Sequence, residues 1–301
     1  MADPYILHMI SPLKHVSPFD VSMALDAGFD HVIPYAHAEV SEVRALVQDA
    51  MFSRPPKLAR RTGIFFGGRN AALALAMLEA SKEAMFPPFE LSVFADPAGS
   101  FTTAGAMVAC VERVLKEKKK RDLKGLLVAV FGATGVVGFA AAVICAQNGA
   151  RVTLVGYDGP ERVARSAEEM KKRFGLDVDS ADGSSDEKKT ALLNECEAAL
   201  CAARAGLQVL TKDQIDQAPH LLVVADVNAV PPAGIEGLDM KANGEEIGAK
   251  GALGIGPFAI GDVKYKTELG LFKAMISAEK PVAFDFRHAF DLARKLVGGD
   301  G

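Results

Sequence analysis

No apolar run in the chain approaches the ~18–20 residues needed to span a bilayer, so no membrane-spanning helix is expected. An excess of positive charge is missing too. With 34 Lys and Arg against 38 Asp and Glu, the formal net charge is −4, which removes the electrostatic reason to expect nucleic acid or an anionic membrane as partner. Cysteine is scarce: Cys110, Cys145, Cys196 and Cys201 sit in apolar surroundings, with no CxxC and no partnering histidines. They read as buried thiols of a cytoplasmic protein, so neither a disulfide framework nor a metal site is expected. The opening "MADPYILHMISPLKH" carries an acid at Asp3 and prolines at Pro4 and Pro12, which makes a poor secretory signal. GKS and GKT are absent, excluding a Walker-type triphosphate loop.

What is present suits two ordinary soluble domains. The chain has 301 residues, 50% of them hydrophobic and 24% charged. Apolar runs alternate with helical-period segments, the pattern of parallel sheets covered by helices. In the front half, strands are predicted at Tyr5–Ile10, His31–Tyr35, Gly63–Phe66 and Phe89–Phe94, with helices near Ser17–Ala27, Ser41–Ala50 and Ala71–Met85. A further helix starts near Thr102 or Thr103 and ends in the basic run "KEKKKRDLKG", read as a solvated helix end followed by a linker. From Leu126 the alternation restarts: strand, turn, helix Val136–Asn148, strand Arg151–Val155 and helix Pro160–Phe174. "DSADGSSDEKK" reads as a polar surface connection, while Ala198–Ala203 and His220–Val227 read as buried strands. A glycine-rich stretch from Lys250 to Asp262 precedes a helix near Lys266–Ile276 and a last amphipathic helix, Phe284–Leu296. The expected division is a substrate domain, residues 1–121, and a nucleotide domain, residues 122–281. The terminal segment 282–301 is expected to pack back on the first.

Between the run Leu126–Val130 and the next helix stands "FGATGVVG", with Gly132, Gly135 and Gly138 in GxxGxxG spacing. One glycine allows a tight strand-to-helix turn, one lets backbone amides approach a pyrophosphate, and the third lets helix pack closely on strand. The helix N-terminus then offers unpaired N–H groups to the phosphates. A small-residue helix and a second strand, "RVTLVG", follow at the expected distance. The second half is therefore expected to be a Rossmann-like, doubly wound parallel sheet that binds a dinucleotide through Gly132, Thr134, Gly135, Val136, Val137 and Gly138. The second strand ends in "VGYDGPER", and Asp158 lies 20 residues past Gly138, where an acid accepts hydrogen bonds from the ribose hydroxyls of NAD. Arg162, one helical turn on, is placed to pair with a 2′-phosphate and keep NADP usable. The alternative is that Asp158 only starts the next helix.

Four stretches, "SPFDVSMALDAGFDHVIPY", "FADPAGSFTTAGA", "VVADVNAVPPAGIEGLD" and "GALGIG…VKYK", together resemble the bacterial NAD(P)-dependent methylene-tetrahydromethanopterin dehydrogenases. The likeness runs from about Leu7 to Leu296, with several motifs in the same order. It implies two α/β domains, oxidation of methylene-tetrahydromethanopterin to the methenyl cation with hydride passed to NAD or NADP, a role in one-carbon metabolism (formaldehyde oxidation in methylotrophy), and a homo-oligomer, a trimer or a multiple of one. The branch strict for NADP carries Gly-Arg at the end of the second strand. This chain has Gly156-Tyr157, which favours the branch that accepts both nucleotides and places Tyr157 against the adenine. The run between Gly256 and Lys264 is longer here than in the strict branch. A methylene-tetrahydrofolate dehydrogenase and a non-catalytic NAD(P) sensor are the competing readings.

The resemblance also implies roles for single residues. The opening of the first helix faces the pterin in the family, which makes Phe19 and Asp20 candidates for binding it; by their own spacing Ser17 and Asp20 can form a capping pair. Ser100, Thr102 and Thr103 stand where a strand gives way to a helix, their hydroxyls expected in the interdomain cleft or capping that helix. Asp226 and Asn228 follow a buried strand and either contact the nicotinamide and its ribose or satisfy loop amides; Pro231 and Pro232 are expected to stiffen that loop over the cofactor. Lys264 matches the family position near the reacting carbon, with Lys266 its neighbour; two exposed lysines at a helix start are the alternative. Asp20, Thr103 and Lys264 are thus the catalytic candidates.

Overall fold

The parallel strands form because short β-branched and aromatic runs can be buried on both faces once helices cover them. A computed structural model describes residues 3–298; residues 1, 2 and 299–301 of the expected spans lie outside the described residues. The described residues fall into two compact units, residues 3–102 with 265–292 and residues 103–264 with 293–298.

In chain order the elements are β1 (Ile6–Ile10), α1 (Pro18–Ala27), β2 (His31–Tyr35), α2 (Val40–Phe52), β3 (Thr62–Phe66), α3 (Ala71–Ala84), β4 (Ser92–Ala95) and α4 (Ser100–Val114). They continue with β5 (Leu127–Phe131), α5 (Val136–Gln147), β6 (Arg151–Gly156), α6 (Glu161–Phe174), β7 (Asp179–Asp182), α7 (Asp186–Glu195), β8 (Ala198–Cys201), α8 (Lys212–Gln217) and β9 (Val223–Asp226). The last are β10 (Asn243–Ile247), β11 (Ala252–Ile255), α9 (Pro257–Ser277), β12 (Ala283–Phe284) and α10 (Phe286–Gly298).

The first unit carries a five-stranded parallel sheet in the order β12-β4-β3-β1-β2. All of β3 is buried. Phe65 and Phe94 meet edge to face at 5.3 Å, and Phe94 meets Phe272 of α9 at 5.2 Å, so three rings nucleate this core together with Leu7, Met9 and Met275. Each such pair adds ~0.5–1.5 kcal/mol to its area burial.

The second unit carries a seven-stranded sheet in the order β10-β11-β9-β8-β5-β6-β7, parallel except for β10 against β11. From β5 the chain winds outward through β6 and β7, then returns to β8 and winds the other way. The point where the order reverses lies between β5 and β8, the doubly wound arrangement expected of this half. Its four cysteines are all buried. Burial pushes the Cys110 thiol up to about 11 and those of Cys145 and Cys196 up to about 12, and it pushes Cys201 well above its ordinary range.

Several expectations need correction. "DSADGSSDEKK" is not a plain connection, because it contains the short edge strand β7 and the start of α7, capped by Ser185 accepting from the Lys188 amide at 3.4 Å. The helix expected from Lys266 begins at Pro257, so Lys264 and Lys266 lie well inside it. The chain passes from the first unit to the second at Thr102/Thr103. The basic run is bonded within the second unit: Arg113 donates to Asn243 Oδ1 at 2.5 Å, Lys118 to the Gly244 carbonyl at 2.7 Å and Lys119 to the Gly251 carbonyl at 2.9 Å. These bonds tie the end of α4, and the wider turn 115–119 after it, to the β10–β11 hairpin. The lysines are therefore partnered, not merely solvated. Of the terminal segment, residues up to 292 group with the first unit and residues 293–298 with the second, where Arg294 donates to Glu112 at 2.6 Å and to Asn148 at 2.8 Å.

Candidate functional site

The glycine turn closes as a strand-to-helix connection. Gly132 adopts φ +79°, and Gly135 at φ −80° is the N-cap of α5. A Cβ on Gly132 would lie 2.4 Å from the Ala202 carbonyl oxygen, and one on Gly138 would lie 2.4 Å from the Gly132 carbonyl oxygen. Both neighbours are backbone and cannot yield. A Cβ on Gly135 would meet nothing nearer than 3.2 Å. The three glycines therefore do different work: two permit close packing, and Gly135 leaves the amides of the helix start open.

In front of the turn lies a cavity of about 840 Å³, lined by Phe131, Gly132, Thr134, Gly135, Val155, Tyr157, Gly183, Ser184 and Lys189 and by the run 202–209. It sits at the carboxyl ends of β5, β6, β7 and β8, across the reversal of strand order, where open α/β sheets bind their ligands. A glycine cradle at a helix N-terminus and a cavity of this size fit a dinucleotide pyrophosphate. Val136 and Val137 form the first turn of α5. Tyr157 is 68% exposed. The Arg162 guanidinium donates to its hydroxyl at 3.0 Å, lies 5.6 Å from its ring centre and pairs with Asp158 at 3.1 Å. Tyr157, Asp158 and Arg162 are thus one cluster at the end of β6.

Asp226 and Asn228 do not line the cavity. Asp226, at the end of β9, accepts from the Asn228 amide at 2.9 Å and the Gly234 amide at 2.7 Å. Burial raises its pKa against the pull of these amides. Asn228 accepts from the Gly206 and Val230 amides at 3.2 and 2.9 Å and donates to the Pro232 carbonyl at 2.8 Å. In the structure the side chains of this pair bond to loop backbone.

In the first unit, the loops after β1 and β4 leave the same edge of the sheet. Ser17 caps α1 by accepting from the Asp20 amide at 3.3 Å, Asp20 is buried, and Phe19 is 46% exposed. After β4 the chain turns through Ala98 at φ +55° and Gly99 at φ +63° before α4 begins at Ser100. The cap of α4 comes from Asp96, fully buried, which accepts from the Phe101 and Thr102 amides at 2.7 and 3.3 Å and from the Thr102 hydroxyl at 2.5 Å. That accounts for Thr102, itself fully buried, through the capping alternative. Thr103 lies in the second unit, as does Lys264; Lys266 follows in the first.

The sequence reading missed Asp96 and the cavity wall formed by Gly183, Ser184, Lys189 and the run 202–209. Four residues and a left-handed turn separate Asp96 from Phe101, which no cap spacing signals, and the run after β8 carries no motif. Among the described residues no helix is long and apolar enough to cross a membrane, and no group of His, Cys, Asp and Glu is placed to hold a metal ion.

Comparison with known proteins adds the chemistry. Residues 18–98 match the family described as methylene-tetrahydromethanopterin dehydrogenase, N-terminal. An NAD(P)-dependent methylenetetrahydromethanopterin dehydrogenase of Methylorubrum extorquens is 50% identical over 97% of this chain and 99% of its own. Bifunctional protein MdtA of the same organism is 31% identical over 93% of this chain and 95% of its own. Among solved structures, the NAD-dependent malic enzyme of Thermotoga maritima superposes with a TM-score of 0.54 at 14% identity, covering 99% of this chain and 85% of its own. Shikimate 5-dehydrogenase of Listeria monocytogenes does so at 0.50 and 13%, covering 98% and 96%. At such identities these two speak for the α/β fold alone.

Proposed function

The chain belongs to the NAD(P)-dependent methylene-tetrahydromethanopterin dehydrogenases, and on that premise we propose how its residues divide the work. The reaction is hydride transfer from methylene-tetrahydromethanopterin to NAD(P)⁺, giving the methenyl compound. The reading rests above all on 50% identity held over nearly the full length of both chains. NAD(P)⁺, when bound, supplies the hydride acceptor. The turn Gly132–Gly138, with Thr134, Val136 and Val137, would hold its pyrophosphate, and Tyr157 would lie along the adenine.

The methylene carbon stands between two nitrogens whose lone pairs expel the hydride and share the positive charge. No proton need move, so positioning and charge placement are what the protein contributes. A carboxylate near the carbon favours the cation and a protonated amine opposes it. Asp20 therefore takes the stabilising role, while Lys264 orients the pterin carbonyl or a carboxylate of the substrate. Ser17, Phe19, Ser100, Thr103 and Lys266 complete the pterin contacts, with Thr102 acting through the start of α4. The enzyme works in the cytoplasm, in formaldehyde oxidation during methylotrophic growth, as a homo-oligomer of three subunits or a multiple.

The test is reduction of each nucleotide, followed by absorbance, with methylene-tetrahydromethanopterin or the folate analogue as donor. Turnover with the folate alone, or with neither, overturns the reading.

The Tyr157–Asp158–Arg162 cluster accounts for use of both nucleotides. Asp158 accepts from the ribose hydroxyls of NAD; when a 2′-phosphate enters, Arg162 exchanges the carboxylate for it. Arg162→Ala is expected to raise the KM for NADP roughly tenfold and that for NAD less than about twofold. Equal effects on both nucleotides reject the exchange.

A further inference from the structure

Two loops are latched behind the nucleotide cavity. The run 202–209 forms one wall of it, and the segment 227–236, which follows β9, does not touch it. The segments are joined at both ends. At one, the Val209 and Leu210 amides donate to the Gly234 carbonyl at 2.7 and 3.0 Å, and the Glu236 amide donates to the Leu210 carbonyl at 3.0 Å. At the other, the Asn228 side chain accepts from the Gly206 amide at 3.2 Å while accepting from Val230 and donating to the Pro232 carbonyl. Asp226 fixes Asn228 and Gly234 from below, and a Cβ on Gly234 would come 2.8 Å from its carboxylate. Every polar atom of the Asn228 side chain is thereby directed into loop backbone, and 5% of the residue is exposed.

The wall it holds has a defined place along the ligand. On the reading above, the acid and tyrosine at the end of β6 would take the adenosine half, so a dinucleotide crossing the reversal point would carry its other half over β8 and β9. The run 202–209 leaves from the end of β8. Its middle residue, Gly206, at φ +75°, is tied to the fold through Asn228.

We propose that Asn228 is a positioning residue for hydride transfer: by clamping Gly206 to the 228–232 turn it fixes the wall against which the nicotinamide half of the nucleotide rests. This rests on the family reading above. A wall free to shift by an ångström costs alignment of the acceptor carbon, and misplacement of that size lowers rate as well as affinity. The pterin side is untouched.

The experiment compares Asn228→Ser and Asn228→Ala with Asn148→Ala in the full-length protein. Serine can still accept from the Val230 amide but does not reach Gly206 or Pro232, so it is the milder variant should alanine fail to fold. Asn148 is a half-buried tie of similar kind at the far end of α5, donating to the Ile144 carbonyl at 2.8 Å and accepting from Arg294. Both Asn228 variants are expected to raise the KM and Kd for NAD⁺ about tenfold and lower kcat, with the pterin KM within about twofold. Asn148→Ala is expected to lower the melting temperature comparably and leave the nucleotide constants alone. Unchanged nucleotide constants in the Asn228 variants, or an equal rise in Asn148→Ala, overturn the proposal. NAD⁺ affinity by calorimetry needs no pterin, so wild-type protein that binds NAD⁺ without turnover would overturn the family reading and leave this comparison standing.

Discussion

Gly138→Ala is expected to abolish useful nucleotide binding and to lower stability, whereas Gly135→Ala keeps the fold and loses only part of the affinity. The difference follows from what a methyl group meets. At Gly138 it would lie 2.4 Å from the Gly132 carbonyl oxygen and 2.9 Å from the Ala133 Cα, so α5 must lift off β5. Overpacking costs ~1–3 kcal/mol even where side chains can give, and here only backbone is available. Lifting α5 also moves the amides that face the pyrophosphate. At Gly135 the nearest atom is 3.2 Å away and φ is −80°, which any residue adopts. Its methyl instead crowds the approach of the phosphates. Thermal unfolding and NAD⁺ titration separate the two: Gly138→Ala should weaken binding ~100-fold and Gly135→Ala ~10-fold, with a near-native melting temperature only for the second. Equal behaviour of the two variants rejects the division of labour.

Lys264→Ala is expected to lower turnover at saturating substrate ~100-fold, the scale on which a single preorganised charged donor acts, while NAD⁺ affinity stays within about twofold. Magnitudes decide what the lysine does. Two like charges 4 Å apart repel by about 4 kcal/mol at an effective dielectric of 20, close to three decades in rate. An ammonium set against the forming methenyl cation would oppose the reaction by that amount. On the proposed assignment Lys264 acts at a distance from the carbon, on a carbonyl or carboxylate of the pterin, and Lys264→Arg should recover part of the loss. Steady-state kinetics of the two variants provide the check; unchanged turnover in Lys264→Ala removes the residue from the mechanism.

What the sequence disclosed and what it hid follow physical lines. Gly132, Gly135 and Gly138 were readable because a strand-to-helix turn is local, and its steric demands fall on fixed positions. Strands such as Leu127–Phe131 and Thr62–Phe66 were readable because burial on both faces leaves a continuous apolar run. The edge strand Asp179–Asp182 escaped because two of its residues are exposed and none is apolar enough to mark it, apart from Ala181. Asp96 escaped because its cap reaches across a left-handed turn. The partners of the basic run escaped because Lys118 and Lys119 bond carbonyls more than 120 residues away, and no local signal announces such a partner. The same holds for Asn228, whose type and position were noticed but whose bonds to Gly206 and Pro232 exist only once two loops have come together.

The four buried cysteines have one more consequence. With the thiols of Cys110, Cys145 and Cys196 pushed up to about 11 or 12 by burial and that of Cys201 well above its usual range, hardly any thiolate exists at neutral pH, and none is presented to solvent. To maleimides and other alkylating dyes the folded native chain is a blank. A single cysteine introduced on the exposed face of α6, at Lys172 for example, would then carry a fluorophore alone, beside the nucleotide half and with no background to subtract.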